Sequence, residues 1–203
     1  MAAIVVPFRG AGGKLRLAPL DGEGRAQVAL AMLGDVLSAC RPVGDTLLVT
    51  DDEGGREVAG EVGDVRVLAD PGNGQGAAVA AALGEVGRPG PLLVVNADVP
   101  CVLPHDLRHL LRSTPAGGLA LVAADDGTTN ALGLPAPEVF APLYGPDSAE
   151  RFRAHAASLG LEAVSVSIPN ICDDVDTMDD LRRVGMRAGP RTQAAIANLG
   201  LAA

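Results

Sequence analysis

Leu92-Leu93-Val94-Val95-Asn96-Ala97-Asp98-Val99-Pro100 is a run of four apolar residues that ends in a carboxylate just before a proline. An uninterrupted apolar run of this length, rather than an alternating one, marks a strand buried on both faces, as in a parallel sheet covered by helices. In such sheets ligands bind beyond the carboxyl ends of the strands. Asp98 then stands where a ligand would. Its simpler reading is a polar residue terminating the strand.

The same rhythm extends in both directions. Ala3–Val6, Thr46–Val49, Val65–Leu68, Leu119–Ala123, Ala131–Leu134 and Ala163–Val166 read as further strands. Between them, Gly24–Cys40, Arg56–Val62, Ala77–Leu83, Pro104–Arg112, Ser148–Leu159, Thr177–Val184 and Thr192–Leu199 read as helices. Val28, Leu30, Met32, Leu33, Val36 and Leu37 form one broad apolar face of the first. The alternation predicts an α/β protein with an open, mostly parallel sheet. A chain of 203 residues suits a single domain, 1–203. The stretch Ala131–Ser148 reads as an excursion walling the site.

A second acidic stretch is Ile171-Cys172-Asp173-Asp174-Val175-Asp176-Thr177-Met178-Asp179-Asp180-Leu181. If Asp174–Asp176 is extended, the period of two puts both carboxylates on one face. Converging carboxylates are a poor core and a good divalent-cation site. With Asp98 they predict three acids at strand ends, suited to Mg²⁺ and a phosphate-bearing substrate. The competing account is helix capping. Thr177-Met178-Asp179-Asp180 has the form of a capping box with Asp in place of Glu. Capping needs one side chain, not the pair.

Composition removes other classes. The net charge of −9 disfavours binding along a phosphate backbone, and four aromatic residues without tryptophan offer no stacking platform, so no nucleic-acid partner is expected. Cys40, Cys101 and Cys172 fit neither a disulfide framework nor a zinc knuckle, which points to a reducing cytoplasm. No apolar run approaches the ~20 residues of a membrane span, and the opening Ala2-Ala3-Ile4 lacks a basic leader.

Arg9-Gly10-Ala11-Gly12-Gly13-Lys14-Leu15-Arg16-Leu17 follows the first strand. It is not a P-loop, because Phe8 occupies the first glycine position and Leu15 the Ser/Thr position. A glycine loop ending in Lys14 and Arg16 can wrap a nucleotide, or be an ordinary surface loop. Gly145-Pro146-Asp147-Ser148-Ala149-Glu150 starts a helix. Asp147 and Glu150 could cap it, or its N-terminus and Ser148 could receive an anion. Asp126-Gly127-Thr128-Thr129-Asn130 reads as turn chemistry that also supplies hydroxyl and amide groups. Asp51 is a further acid at a strand end. The three histidines are scattered, and no covalent nucleophile is indicated.

Taken together, these motifs resemble the guanylyltransferases of coenzyme F420 biosynthesis, the CofC and FbiD family. Lys14–Pro19 is similar to its K-T/S-R-L-a-P, and Ala31–Leu37 to A-M-L-x-D-x-L. Ala97–Pro100 stands for x-D-L-P and Gly127–Leu132 for G-G/T-T-N-A-L. Tyr144–Ser148 fits F/Y-G-x-x-S, and Asp174–Leu181 fits D-[IV]-D-T-x-x-D-L.

The resemblance implies a Rossmann-like, GT-A-like nucleotidyltransferase fold. It implies GMP transfer from GTP to phosphoenolpyruvate or 2-phospholactate with release of pyrophosphate. Asp98, Asp174 and Asp176 would hold Mg²⁺, and Asn130, Gly145 and Ser148, with Thr129 beside them, the acceptor acid. Lys14 and Arg16 would meet the GTP phosphates, with Gly12, Gly13, Gln75 and Gly76 around the nucleotide. The product would pass to a downstream transferase. Gln75-Gly76 departs from the family's Leu-Asn before the third helix. The segment Gly189–Leu199 resembles actinobacterial members, favouring phosphoenolpyruvate. Rival readings are a cytidylyl or molybdopterin-type transferase and a silent nucleotide-binding protein.

Overall fold

The computed structural model describes residues 2–10, 17–86 and 90–201. Among these residues seven strands form one sheet: β1 (Ala2–Pro7), β2 (Gly44–Val49), β3 (Val65–Leu68), β4 (Leu92–Val95), β5 (Gly118–Ala123), β6 (Thr129–Leu134) and β7 (Glu162–Ser165). Their order is β3-β2-β1-β4-β6-β5-β7. Neighbours pair in parallel except at β6, which runs antiparallel to both β4 and β5. The expected α/β class and mostly parallel open sheet are what the chain forms.

The continuous apolar strands are buried on both sides. Ile4, Val6, Leu48, Leu93 and Val95 join one core cluster. Their alternates Val5, Leu47, Val49, Leu92 and Val94 join the other. The first core is covered by α1 (Gly22–Cys40), α2 (Glu53–Val62) and α4 (Pro104–Ser113). The second is covered by α3 (Gln75–Val86) and α5 (Ser148–Ser158). The chain steps outward from β1 to β3, then returns through α3 to place β4 on the other side of β1. That reversal opens a crevice beyond the carboxyl ends of β1 and β4.

The broad apolar face of α1 proves to be two faces. Leu33, Val36 and Leu37 meet the sheet. Val28 and Met32 meet a third core built from Val175, Met178, Leu181 and Val184, with Ile196 of the C-terminal helix packed against it. That core lies under α7 (Met178–Val184) and α8 (Pro190–Asn198). A helix roofed by a third layer must be apolar on both sides.

Several boundaries differ from the sequence reading. Thr129 and Asn130 belong to β6 rather than to the preceding turn, which Asp126 closes by accepting from Thr128 N at 2.9 Å. Gln75 and Gly76 are the first residues of α3, not a loop before it. The acidic stretch does not continue a strand. A one-turn helix, α6 (Pro169–Cys172), intervenes between β7 and Asp174.

Candidate active site

The crevice is a cleft of about 410 Å³. Phe8, Arg9 and Gly10 line it from beyond β1, Gln75 from the start of α3, Asn96 and Asp98 from beyond β4, and Asp176 from the acidic stretch. Asp98, Asp174 and Asp176 each bring one carboxylate oxygen into a group whose members all lie within 4.8 Å of one another. The pair and the single acid meet because two backbone segments are tied together. Val175 N–H donates to the Asp98 carbonyl at 3.0 Å.

The surroundings hold this geometry. Thr177 and Asp180 form the capping box of α7: Asp180 N donates to Thr177 Oγ1 at 3.2 Å, and Thr177 N to Asp180 Oδ2 at 2.9 Å. The cap is therefore complete without the Asp174 and Asp176 carboxylates. Asp173 faces away and bonds Arg183 and Arg187. Burial alone would raise its carboxyl, but hydrogen bonds from both arginines outweigh that and hold it low.

Asp174 behaves in the opposite way. Burial is the main cause and the Asp98 charge adds to it, against hydrogen bonding from Asn130, so the carboxyl is pushed up to about 6. A carboxyl raised in part by a neighbouring carboxylate gains from a bound divalent cation. The donor set, all carboxylate oxygens, suits a hard ion such as Mg²⁺.

The other expected residues are placed as follows. Asn130 is 1% exposed and donates to the carbonyls of Ile171 at 2.9 Å and Cys172 at 3.3 Å. It thereby fixes the end of α6 from which Asp174 departs. Ser148 is fully buried, and its hydroxyl donates to Thr129 Oγ1 at 3.0 Å. The Thr129 side chain is equally enclosed. All three side chains are enclosed and hydrogen-bonded within the protein, next to the segment that carries Asp174.

The start of α5 is also already engaged. Ser148 N donates to Gly145 O, and Ala149 N to Gly127 O. Asp147 precedes the helix in the left-handed region (φ 55°) with no side-chain cap bond, so the Asp147/Glu150 box does not form. Gly145 (φ +114°) is exposed and makes this turn possible. Asp51 lies outside the cleft, paired with Arg56 at 3.2 Å. Gly12, Gly13, Lys14 and Arg16 lie outside the described residues.

Arg9 and Asn96 are polar cleft residues with little signal in the sequence. Arg9 is a basic group on the cleft wall, legible as the first residue of the glycine loop. Asn96 accepts from Gln75 Nε2 at 2.7 Å and donates to Thr129 O at 3.2 Å. Its only sequence signal is its position at the end of a buried strand.

Solved structures share this architecture. A Desulfovibrio desulfuricans G20 protein described as a nucleotide-diphospho-sugar transferase superposes with a TM-score of 0.78 at 17% identity, covering 99% of this chain and 97% of that one. A nucleotidyl transferase from Methanothermobacter thermautotroptrophicus gives 0.63 at 19% identity, covering 98% and 99%. The shared fold, with the MobA-like NTP transferase domain that the chain matches, defines the class, a nucleotidyltransferase.

Residues 11–171 match the MobA-like NTP transferase domain. The chain is 38% identical to a phosphoenolpyruvate guanylyltransferase of Streptomyces coelicolor, over 98% of this chain and 97% of that protein. It is 37% identical to one of Nocardia farcinica, over 92% and 86%. The chain belongs to the MobA-like NTP transferase family, in the branch of the phosphoenolpyruvate guanylyltransferases. Among the described residues no helix is long and apolar enough to cross a membrane.

Proposed function

We propose that this enzyme transfers GMP from GTP to phosphoenolpyruvate, with 2-phospholactate as the alternative acceptor, and releases pyrophosphate in coenzyme F420 biosynthesis. The observation that carries the reading is the convergence of Asp98, Asp174 and Asp176 beside a cleft at the β1/β4 reversal. A phosphate oxygen of the acceptor attacks the α-phosphorus of GTP in line, and the bond to the β-phosphate oxygen breaks. The acceptor phosphate is already an anionic nucleophile, so no general base is needed.

Asp98, Asp174 and Asp176 would hold Mg²⁺, which when bound supplies charge neutralisation for the reacting phosphates. Arg9 meets phosphate from the β1 side of the cleft. Lys14 and Arg16, with Gly12 and Gly13 beside them in the sequence, would meet the GTP phosphates. Gln75 and Gly76 face the nucleotide from α3. Asn130, Thr129 and Ser148 fix the wall that carries Asp174, and the turn at Gly145 borders the acceptor. Positioning and fixed charge supply the acceleration. The product then passes to a downstream transferase in the cytoplasm.

Pyrophosphate release tests the reading, with each nucleoside triphosphate against phosphoenolpyruvate, 2-phospholactate and 3-phosphoglycerate. GTP with phosphoenolpyruvate should dominate. Release from CTP, or from no combination, would favour a cytidylyl enzyme or a silent binding protein.

A further inference from the structure

Gln75, Asn96 and Asn130 form a line of side-chain amides that runs from the cleft, where Gln75 and Asn96 lie, into the buried interior, and its direction is set by backbone carbonyls. A carbonyl oxygen can only accept, so a side chain facing one must present its NH₂. Asn130 faces the carbonyls of Ile171 and Cys172, which fixes its Nδ2 there and turns its Oδ1 towards Asn96. Asn96 faces the Thr129 carbonyl at 3.2 Å, which fixes its Nδ2 on that side and its Oδ1 towards α3. Gln75 must then offer its Nε2 to Asn96 Oδ1, as it does at 2.7 Å.

The remaining atom of that amide is Gln75 Oε1, and no donor among the described residues is paired with it. Gln75 lines the cleft. Its backbone is held as well, because Gly76 is packed so closely on Pro142 that an added Cβ would lie 2.6 Å from the proline Cβ. The cleft therefore presents a pre-oriented acceptor beside the nucleotide.

Guanine and adenine differ in what they show an acceptor. Guanine carries N1–H and the 2-amino group side by side, both donors. Adenine carries a lone pair at N1 and no 2-amino group. We infer that Asn96 is a positioning residue for base selection: it holds Gln75 with Oε1 forward, so that the site accepts from the donor edge of guanine and rejects adenine. A site built on a fixed acceptor discriminates well, because the wrong base leaves the acceptor unpaired. This inference rests on GTP being the nucleotide donor.

The test is the ratio of kcat/KM for GTP to that for ATP in Gln75→Leu, Asn96→Ala and the double variant, with calorimetric affinities for GDP and ADP as a second readout. Each single variant should lower the GTP/ATP ratio about tenfold or more, through a raised KM for GTP with the acceptor KM unchanged. If Asn96 acts through Gln75, adding Asn96→Ala to Gln75→Leu should change the ratio no further. Gln75 is partly exposed, so Gln75→Leu should stay folded even if Asn96→Ala does not. An undiminished GTP preference in Gln75→Leu overturns the inference, as do additive losses in the double variant. Equal use of GTP and ATP by the unaltered enzyme would instead remove the guanylyl reading beneath it.

Discussion

The Asp35 carboxylate, in the middle of α1, accepts the backbone N–H of Thr192 at 2.8 Å across 157 residues of sequence. Its other oxygen accepts from Arg191 N at 3.1 Å. Asp35 is thus the cap of α8, whose own N-cap is Gly189 and has no side chain to offer. The approach is so close that a Cβ at Gly189 would lie 2.3 Å from Asp35 Cγ. Gly189 N also donates to Pro100 O at 2.8 Å, tying the C-terminal layer to the loop that carries Asp98.

Asp35→Ala should therefore destabilise the protein by about 1–3 kcal/mol, leaving two helix-start donors without their partner. For a chain of this size that is a fall in Tm of about 2–12 °C, readable by calorimetry. An unchanged Tm would mean that water replaces the carboxylate at no cost.

Asp174→Asn and Asp176→Asn should each abolish turnover and leave the fold intact. Removing one of three clustered charges relieves repulsion, so the metal-free melting temperature should hold or rise. Scanning calorimetry and pyrophosphate release with titrated Mg²⁺ check both halves. Full activity in both variants at limiting Mg²⁺ would sink the assignment of these acids to a metal.

The raised Asp174 carboxyl predicts the direction of a pH effect. The folded protein binds this proton up to about 6, whereas an unfolded chain releases it near the ordinary aspartate value of 3.8. Between those values the native state holds more protons, so Asp174's contribution favours folding at the acid end of the window and is lost as pH rises through about 6. Mg²⁺ competes with that proton, so its affinity should fall as pH drops through about 6. Isothermal titration with Mg²⁺ at pH 5 and pH 7.5 should show weaker binding at pH 5. Equal affinities would place Asp174 outside the binding group.

Ser148→Ala should lower thermal stability, because it strips the buried Thr129 hydroxyl of its partner, at a cost of about 1–2 kcal/mol. Thr129 and Asn130 are consecutive in β6, and Asn130 holds the segment leading to Asp174. The acceptor KM should rise with the GTP KM unchanged. Lower stability with both KM values intact would confine the hydroxyl to packing.

The strands, most of the helices and the three clustered acids could be read from the chain alone. Leu92–Val95 is apolar throughout because both faces of β4 are covered, and that pattern is local. Asp98, Asp174 and Asp176 stand out for a similar reason: carboxylates bordering buried segments carry a cost that a plain turn would avoid. Spacing alone also marked the Thr177/Asp180 box.

Only the tertiary structure decided what faces the cleft. Asn130 and Ser148 read in sequence as polar side chains near turns, which usually meet solvent, yet both are buried. β6 lies between β4 and β5 with a core cluster on each face, and this encloses both Thr129 and Asn130. Asp35 reads as one acid on a helix until α8 folds over it, and Asn96 as a strand terminator until Gln75 and Thr129 close on either side. A hydrogen bond's direction depends on which backbone carbonyl lies opposite, and no local pattern of residues records a partner that the sheet brings from 33 positions away.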